Sequence, residues 1–155
     1  MPRFLVTRYP GRYSEWICTS PLGTTRLVDL PDPDLPAKEW IRVRPLLSGI
    51  CGSDLATVTA RGSTYFSPYT SCPFVFGHEV VGEITAIGSD GAGFGVGDRV
   101  ILEPPLHCRI RGIVEICREC QRGLFSQCRN VTQGNISAGL QTGFCRDTGG
   151  GWSRS

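Results

Sequence analysis

No stretch of this 155-residue chain approaches the roughly 20 consecutive apolar residues of a membrane-spanning helix. No export signal is legible either, because charges and prolines interrupt Met1 to Pro10 before an apolar core can form. A cytoplasmic location is therefore expected. Charge of one sign is also missing. The net charge is +2, both signs are scattered and no basic run exists, so nucleic acid and anionic membranes have no electrostatic footing. Glycine-rich Gly88 to Gly97 invites comparison with a phosphate loop, yet its register fits neither the dinucleotide fingerprint nor a Walker A motif, and no helical pattern follows. It reads instead as a hairpin turn. Histidine is scarce, with only His78 and His107 in the chain.

The length suits one domain with a core and is short for two. Twenty glycines and eleven prolines separate short apolar runs, which points to a mainly β fold with short helices. Strands are expected at Arg3 to Tyr9, Glu15 to Cys18, Thr24 to Leu30, Glu39 to Ser48, Val80 to Ile87 and Asp98 to Glu103. Between Ile41 and Pro45 the alternation of apolar residues with Arg42 and Arg44 predicts one wet face. Pro31 to Pro36 is a turn-rich connector, because proline cannot sit in a central strand. After Cys51 the spacing predicts a short helix through Leu55, Val58 and Ala60, capped by Ser53 or Asp54. Gly62 to Cys72 reads as a polar, aromatic loop, and Asn130 to Ser155 as a Gly/Thr/Ser-rich stretch with Cys145 on a strand.

Eight cysteines in a secreted chain would suggest disulfides. Without an export signal, and with Cys117-x2-Cys120 spacing, metal binding is the better reading. Cys18, Cys72 and Cys145 are read as ordinary packing residues. Two words carry the chemistry: Gly49-Ile-Cys-Gly-Ser-Asp54 supplies a thiol, and Phe76-Gly-His-Glu-Val-Val-Gly82 supplies an imidazole beside a carboxylate. Alone, Gly-His-Glu is as compatible with a core histidine on a strand as with a ligand. Paired with Cys51, it forms the mixed donor set that Zn²⁺ prefers when one coordination position stays open.

These two words, with Val96-Gly-Asp-Arg-Val100 and a cysteine-rich lobe at about 107–129, resemble the N-terminal catalytic domain of the zinc-containing medium-chain alcohol dehydrogenases. The similarity is to their sugar, polyol and threonine dehydrogenase branch, and it runs from about Glu39 onward. It implies a GroES-like β-barrel spanning residues 1–155, without the coenzyme-binding Rossmann domain. By resemblance Cys51 and His78 are zinc ligands and Glu79 is a direct or exchangeable one. Ser53 is the hydroxyl that relays the substrate proton, and Asp54 the carboxylate that orients the histidine. Cys117, Cys120 and Cys128 match three ligands of the family's structural zinc. The family's first cysteine position falls here on Val114. Cys108 is the candidate fourth ligand, with His107 a weaker alternative, which makes Arg109 to Ile116 an inserted loop. A metal-free lobe is the competing reading.

The activity implied is oxidation of an alcohol, polyol or sugar to a carbonyl, with NAD or NADP as acceptor in the full-length enzyme. Its partners would be the small-molecule substrate, the coenzyme-binding domain and, for the complete enzyme, further copies of itself. The alternative is a stand-alone zinc-binding module that acts by association and has no catalytic activity.

Overall fold

The computed structural model describes residues 2–6, 23, 25–32, 34–59, 61, 68–91 and 93–153. In chain order the elements are β1 (Pro2–Val6), β2 (Thr25–Asp29), β3 (Ile41–Ser48), α1 (Gly52–Val58), β4 (Phe74–Val75), β5 (Val80–Ile87), β6 (Arg99–Ile101), α2 (Arg118–Gln121) and a 3-10 turn (Phe125–Gln127). They form two three-stranded sheets, ordered β2-β1-β4 and β3-β5-β6. Every strand pair is antiparallel. No parallel βαβ unit therefore exists among the described residues. No helix among them is long and apolar enough to cross a membrane.

The strands follow the sequence pattern with informative departures. Along β5, Val80, Gly82 and Ile84 are buried while Val81 and Thr85 face outward. In β3 the wet face expected for both arginines holds at Arg44 only. Arg42 is half-buried, at a point where the ladder to β5 shifts register between Arg42 and Val43. Pro45, which has no N–H to donate, lies on the same strand opposite Gly82 beside a second register break. A Cβ on Gly82 would come within 2.7 Å of the Arg44 carbonyl oxygen, so the close approach of β3 to β5 requires glycine there. β6 is shorter than expected, ending at Ile101 ahead of Pro104 and Pro105. β1 is described from Pro2 to Val6 and β2 from Thr25 to Asp29. The strand expected at Glu15 to Cys18, Cys18 itself and much of the loop after Gly62 lie outside the described residues. Cys145 is fully buried as expected, but in an irregular segment and not on a strand; its thiol donates to the Ser137 carbonyl at 3.4 Å.

Aromatic packing joins β4 to the C-terminal segment. Phe74 meets Phe76 edge-on at 5.6 Å and Phe144 at 5.3 Å, with Val58, Cys72 and Trp152 packed around the cluster. A cavity of about 390 Å³ lies nearby, lined by Leu35, Trp40, Val43, Phe74, Val80 and Leu102 among others. It contains none of the candidate ligands, so the chemistry has to be sought elsewhere.

The cysteine-rich lobe packs against residues 131–140 through one buried cation. Arg111 has no exposed surface, and its guanidinium donates to the carbonyls of Gln133 (2.9 Å), Ile136 (3.0 Å), Ser137 (3.0 Å), Gly139 (3.2 Å) and Val131. Only its Nε lacks a partner. Burial lowers its pKa, and the neighbouring thiols and Asp147 oppose that shift. Replacing it with methionine would keep much of the volume and strand several buried acceptors. Arg111→Met should destabilise the protein by about 3 kcal/mol or more in urea unfolding.

Candidate metal centres

The first centre is assembled where α1 begins beside the end of the Phe76–His78 segment. Cys51 is the residue capping α1, with φ −79° and ψ 154°. The cap thus falls neither on Ser53 nor on Asp54, as the sequence suggests. Asp54 occupies the third helical position, from which its Oδ2 reaches back to accept the Cys51 N–H at 3.0 Å. Its other oxygen, Oδ1, lies 3.5 Å from His78 Nδ1. Asp54 is wholly buried and His78 nearly so. With Nδ1 turned to the carboxylate, Nε2 is the nitrogen left for a metal.

The local electrostatics favour ligation at Cys51. The Ser53 hydroxyl and N–H and the His78 ring, all beside the thiol, lower the Cys51 pKa. The Asp54 carboxylate beside Nδ1 raises the His78 pKa to about 9 despite burial. Glu79 is exposed, and its backbone carbonyl accepts the Gly49 N–H at 2.8 Å. One donor atom from each of Cys51, His78 and Glu79 lies within 4.8 Å of the other two. A tetrahedral zinc bound to sulfur, nitrogen and oxygen needs separations of about 3.3–3.6 Å, so small side-chain adjustments close the site. The three donors fit an ion with an open position.

The second centre lies in the lobe. Cys117 caps α2 and Cys120 sits one turn on, so both thiols emerge on the same side. After a turn through Gly123 and the 3-10 segment, the chain delivers Cys128, while Cys108 arrives from across the inserted loop. All four sulfurs lie within 4.8 Å of one another. Cys108 and Cys128 are 3.6 Å apart, against about 3.8 Å for the edge of a zinc tetrathiolate tetrahedron. None of these cysteines is in a disulfide.

Amide donors surround the sulfurs. The Cys117 N–H (3.4 Å) and Asn130 Nδ2 (3.3 Å) point at Cys108, and the Asn130 N–H (3.4 Å) points at Cys128. N–H bonds from Arg129 and Cys120 bring the Cys117 pKa down to about 7, whereas burial pushes Cys120 and Cys128 up. Such donors stabilise thiolates, and the donor set fits a closed zinc site. His107 does not join it. It stacks on Phe125 at 4.2 Å, and burial lowers its pKa.

Several residues around these centres gave no signal in the sequence. Phe144 packs on the His78 ring at 5.8 Å, and Trp152 packs on Phe76 at 5.1 Å. Arg111 and Asn130 contact the lobe. Their partners are distant in sequence, and only the Asn130 position, two residues after Cys128, lies close enough to a ligand to have drawn attention.

Residues 37–154 match the family described as alcohol dehydrogenase GroES-like domain. The chain is similar to sorbitol dehydrogenase of Bacillus subtilis (strain 168), with 37% identity over 107 residues, 68% of this chain and 28% of that protein. Galactitol 1-phosphate 5-dehydrogenase of Escherichia coli (strain K12) is 34% identical over 106 residues, covering 68% of this chain and 27% of that protein. Among solved structures, the alcohol dehydrogenase of Aeropyrum pernix shares the fold with a TM-score of 0.67 at 21% identity, covering 99% of this chain and 36% of that one. The match thus spans less than a third of the length of these curated relatives.

If the lobe holds zinc, elemental analysis of protein purified with zinc present should show one tightly bound ion fewer in Cys120→Ser than in wild type. Equal, near-zero zinc in both would mean a metal-free lobe and would remove Cys108 from the ligand set.

Proposed function

The chain belongs to the alcohol dehydrogenase GroES-like family, and from that membership we propose that residues 1–155 form the catalytic domain of a zinc-dependent, NAD(P)-linked alcohol, polyol or sugar dehydrogenase. The observation that carries this reading is the convergence of Cys51, His78 and Glu79 with Asp54 buried behind them. Zinc held by these residues would act as a Lewis acid that lowers the pKa of an alcohol oxygen. Zinc in the lobe, held by Cys108, Cys117, Cys120 and Cys128, would be structural.

The chain's own residues divide the remaining work. Asp54 stands behind the His78 ring, and a proton on Nδ1 facing the carboxylate would leave Nε2 as the basic nitrogen. Exposed Glu79 is free to exchange between the ion and water. The Ser53 hydroxyl faces Cys51 and is exposed to solvent, so rotation about one bond would let it accept a proton from substrate and pass it outward. Nicotinamide would be held outside residues 1–155, since the described strands contain no parallel βαβ unit for it. The names of the relatives point to a small polyol or a hydroxylated amino acid as the substrate class.

One observation favours a second reading, association without catalysis. Leu47, Val81 and Ile101 are direct cross-strand neighbours on the outer face of the second sheet, 71%, 38% and 82% exposed. Such a row is suited to burial against another protein surface. The two readings separate by assay.

The 155-residue chain and a fusion of it to the part of the Bacillus subtilis sorbitol dehydrogenase that it does not cover would be titrated with NADH and assayed on polyols and secondary alcohols. Turnover is expected in the fusion alone, dependent on zinc and lost in Cys51→Ser, because holding the reactants together accounts for much of the rate. A folded, NADH-binding fusion without zinc-dependent turnover would leave the association reading. Turnover by the 155 residues alone would overturn the assignment of nicotinamide to a separate domain. In the active fusion, Ser53→Thr should retain much of the activity and Ser53→Ala should lose roughly 10²-fold.

A further inference from the structure

Two chain segments bring the proposed catalytic ligands together: the approach to α1, carrying Cys51, and the segment before β5, carrying His78 and Glu79. One contact joins them directly. The Gly49 N–H donates to the Glu79 carbonyl at 2.8 Å. The other side of the same peptide region is taken by a residue about a hundred positions away. Trp152 Nε1 donates to the Gly49 carbonyl at 3.1 Å. Gly49 is thereby held at both its N–H and its C=O, two residues before the thiol.

Trp152 also grips the second segment. Its backbone N–H donates to the Phe76 carbonyl at 2.9 Å, and the Gly151 N–H donates to the Gly77 carbonyl at 2.9 Å. Its ring packs on Phe76 at 5.1 Å, two residues before His78. Gly77, with φ of +97°, admits this approach, because a Cβ there would lie 2.7 Å from Trp152 Cδ1 and 2.8 Å from its backbone nitrogen. Replacing Gly77 would force the tryptophan away. Trp152 offers no donor atom to a metal, since an indole N–H has no lone pair to give. Its contacts instead fix where the two ligand-bearing segments stand relative to each other.

We propose that Trp152 is a positioning residue of the Cys51/His78/Glu79 centre, its indole N–H and ring clamping Gly49 against Phe76 and so setting the thiol-to-imidazole separation. This rests on the functional reading above. Groups that orient ligands without touching the metal typically change its affinity ten- to a hundredfold when removed. The ring packing and the N–H are separable: phenylalanine keeps the first and loses the second.

The test is Co²⁺ titration of the 155-residue chain, followed by thiolate-to-metal charge-transfer absorption. The phase that disappears in Cys51→Ser reports this centre, and the phase that disappears in Cys120→Ser reports the lobe. Trp152→Phe should bind Co²⁺ roughly tenfold more weakly in the Cys51-dependent phase, with the Cys120-dependent phase unchanged. Trp152→Leu, which loses the ring as well, should bind more weakly still. A change below threefold in both variants would overturn the proposal. So would an equal loss at both centres, which would make Trp152 a general folding residue. A wild-type chain lacking any Cys51-dependent phase would instead sink the catalytic-site reading, and this inference with it.

Discussion

One buried carboxylate sets the geometry of the candidate Cys51/His78/Glu79 centre. Asp54 has no exposed surface, and a carboxylate removed from water is costly unless donors surround it. Its Oδ2 accepts the Cys51 N–H, and its Oδ1 stands 3.5 Å from His78 Nδ1 as an ion-pair contact, neither of those last two atoms having a hydrogen bond. The helix start and the segment leading into β5 are therefore coupled through the same group. A helix displaced along its axis would strand the carboxylate, and a rotated histidine would do the same. The penalty for an unpaired Asp54 thus acts as a restraint on both candidate ligands. A proton on His78 Nδ1 would answer the carboxylate and favour the tautomer that leaves Nε2 free.

The C-terminal third of the described chain supplies the second layer of support. Residues 149–153 run back beside Phe76 and Gly77, Phe144 lies against the His78 ring, and the Leu140 N–H donates to the Tyr69 carbonyl at 3.1 Å. Arg111 ties the lobe to the same stretch through the carbonyls of residues 131–139. Ser137, one of those acceptors, also receives the Cys145 thiol, and its N–H goes to Asp147. The two candidate centres are therefore separate in their donor residues yet share one supporting segment. Irregular backbone is acceptable in that segment because its carbonyls are satisfied by a side chain instead of a ladder.

The sequence makes some of this legible and hides the rest for physical reasons. Cys51, His78 and Glu79 stand out because their motifs are short and local, and the alternation of β5 can be read from Val80 to Ile84. The cap of α1 cannot be assigned that way: it depends on where the backbone leaves extended φ and ψ, which is at Cys51 itself. Arg42 departs from its alternation because a register shift in the ladder leaves no trace in residue order. Cys108 is found only by counting thiols, since an inserted loop moves it away from the expected spacing. Trp152, Phe144 and Arg111 act across long separations, and a tryptophan near a chain end or an arginine in a basic-looking loop has many unremarkable explanations. Families of sequences show what single spacing cannot, and here the family match adds the barrel that strand patterns alone leave open.

The cage around Arg111 has a consequence for how the domain responds to its solvent. Exposed pairs such as Lys38 with Asp90 and Arg44 with Glu83 lose their attraction as mobile ions gather around them. Arg111 is answered by backbone dipoles within a region that water and counterions do not reach. Its contribution is accordingly much less sensitive to ionic strength than theirs. In concentrated salt the surface of this domain would relax electrostatically while the junction between lobe and barrel kept most of its strength, so the part nearest the four lobe cysteines is the part least exposed to changes in the medium.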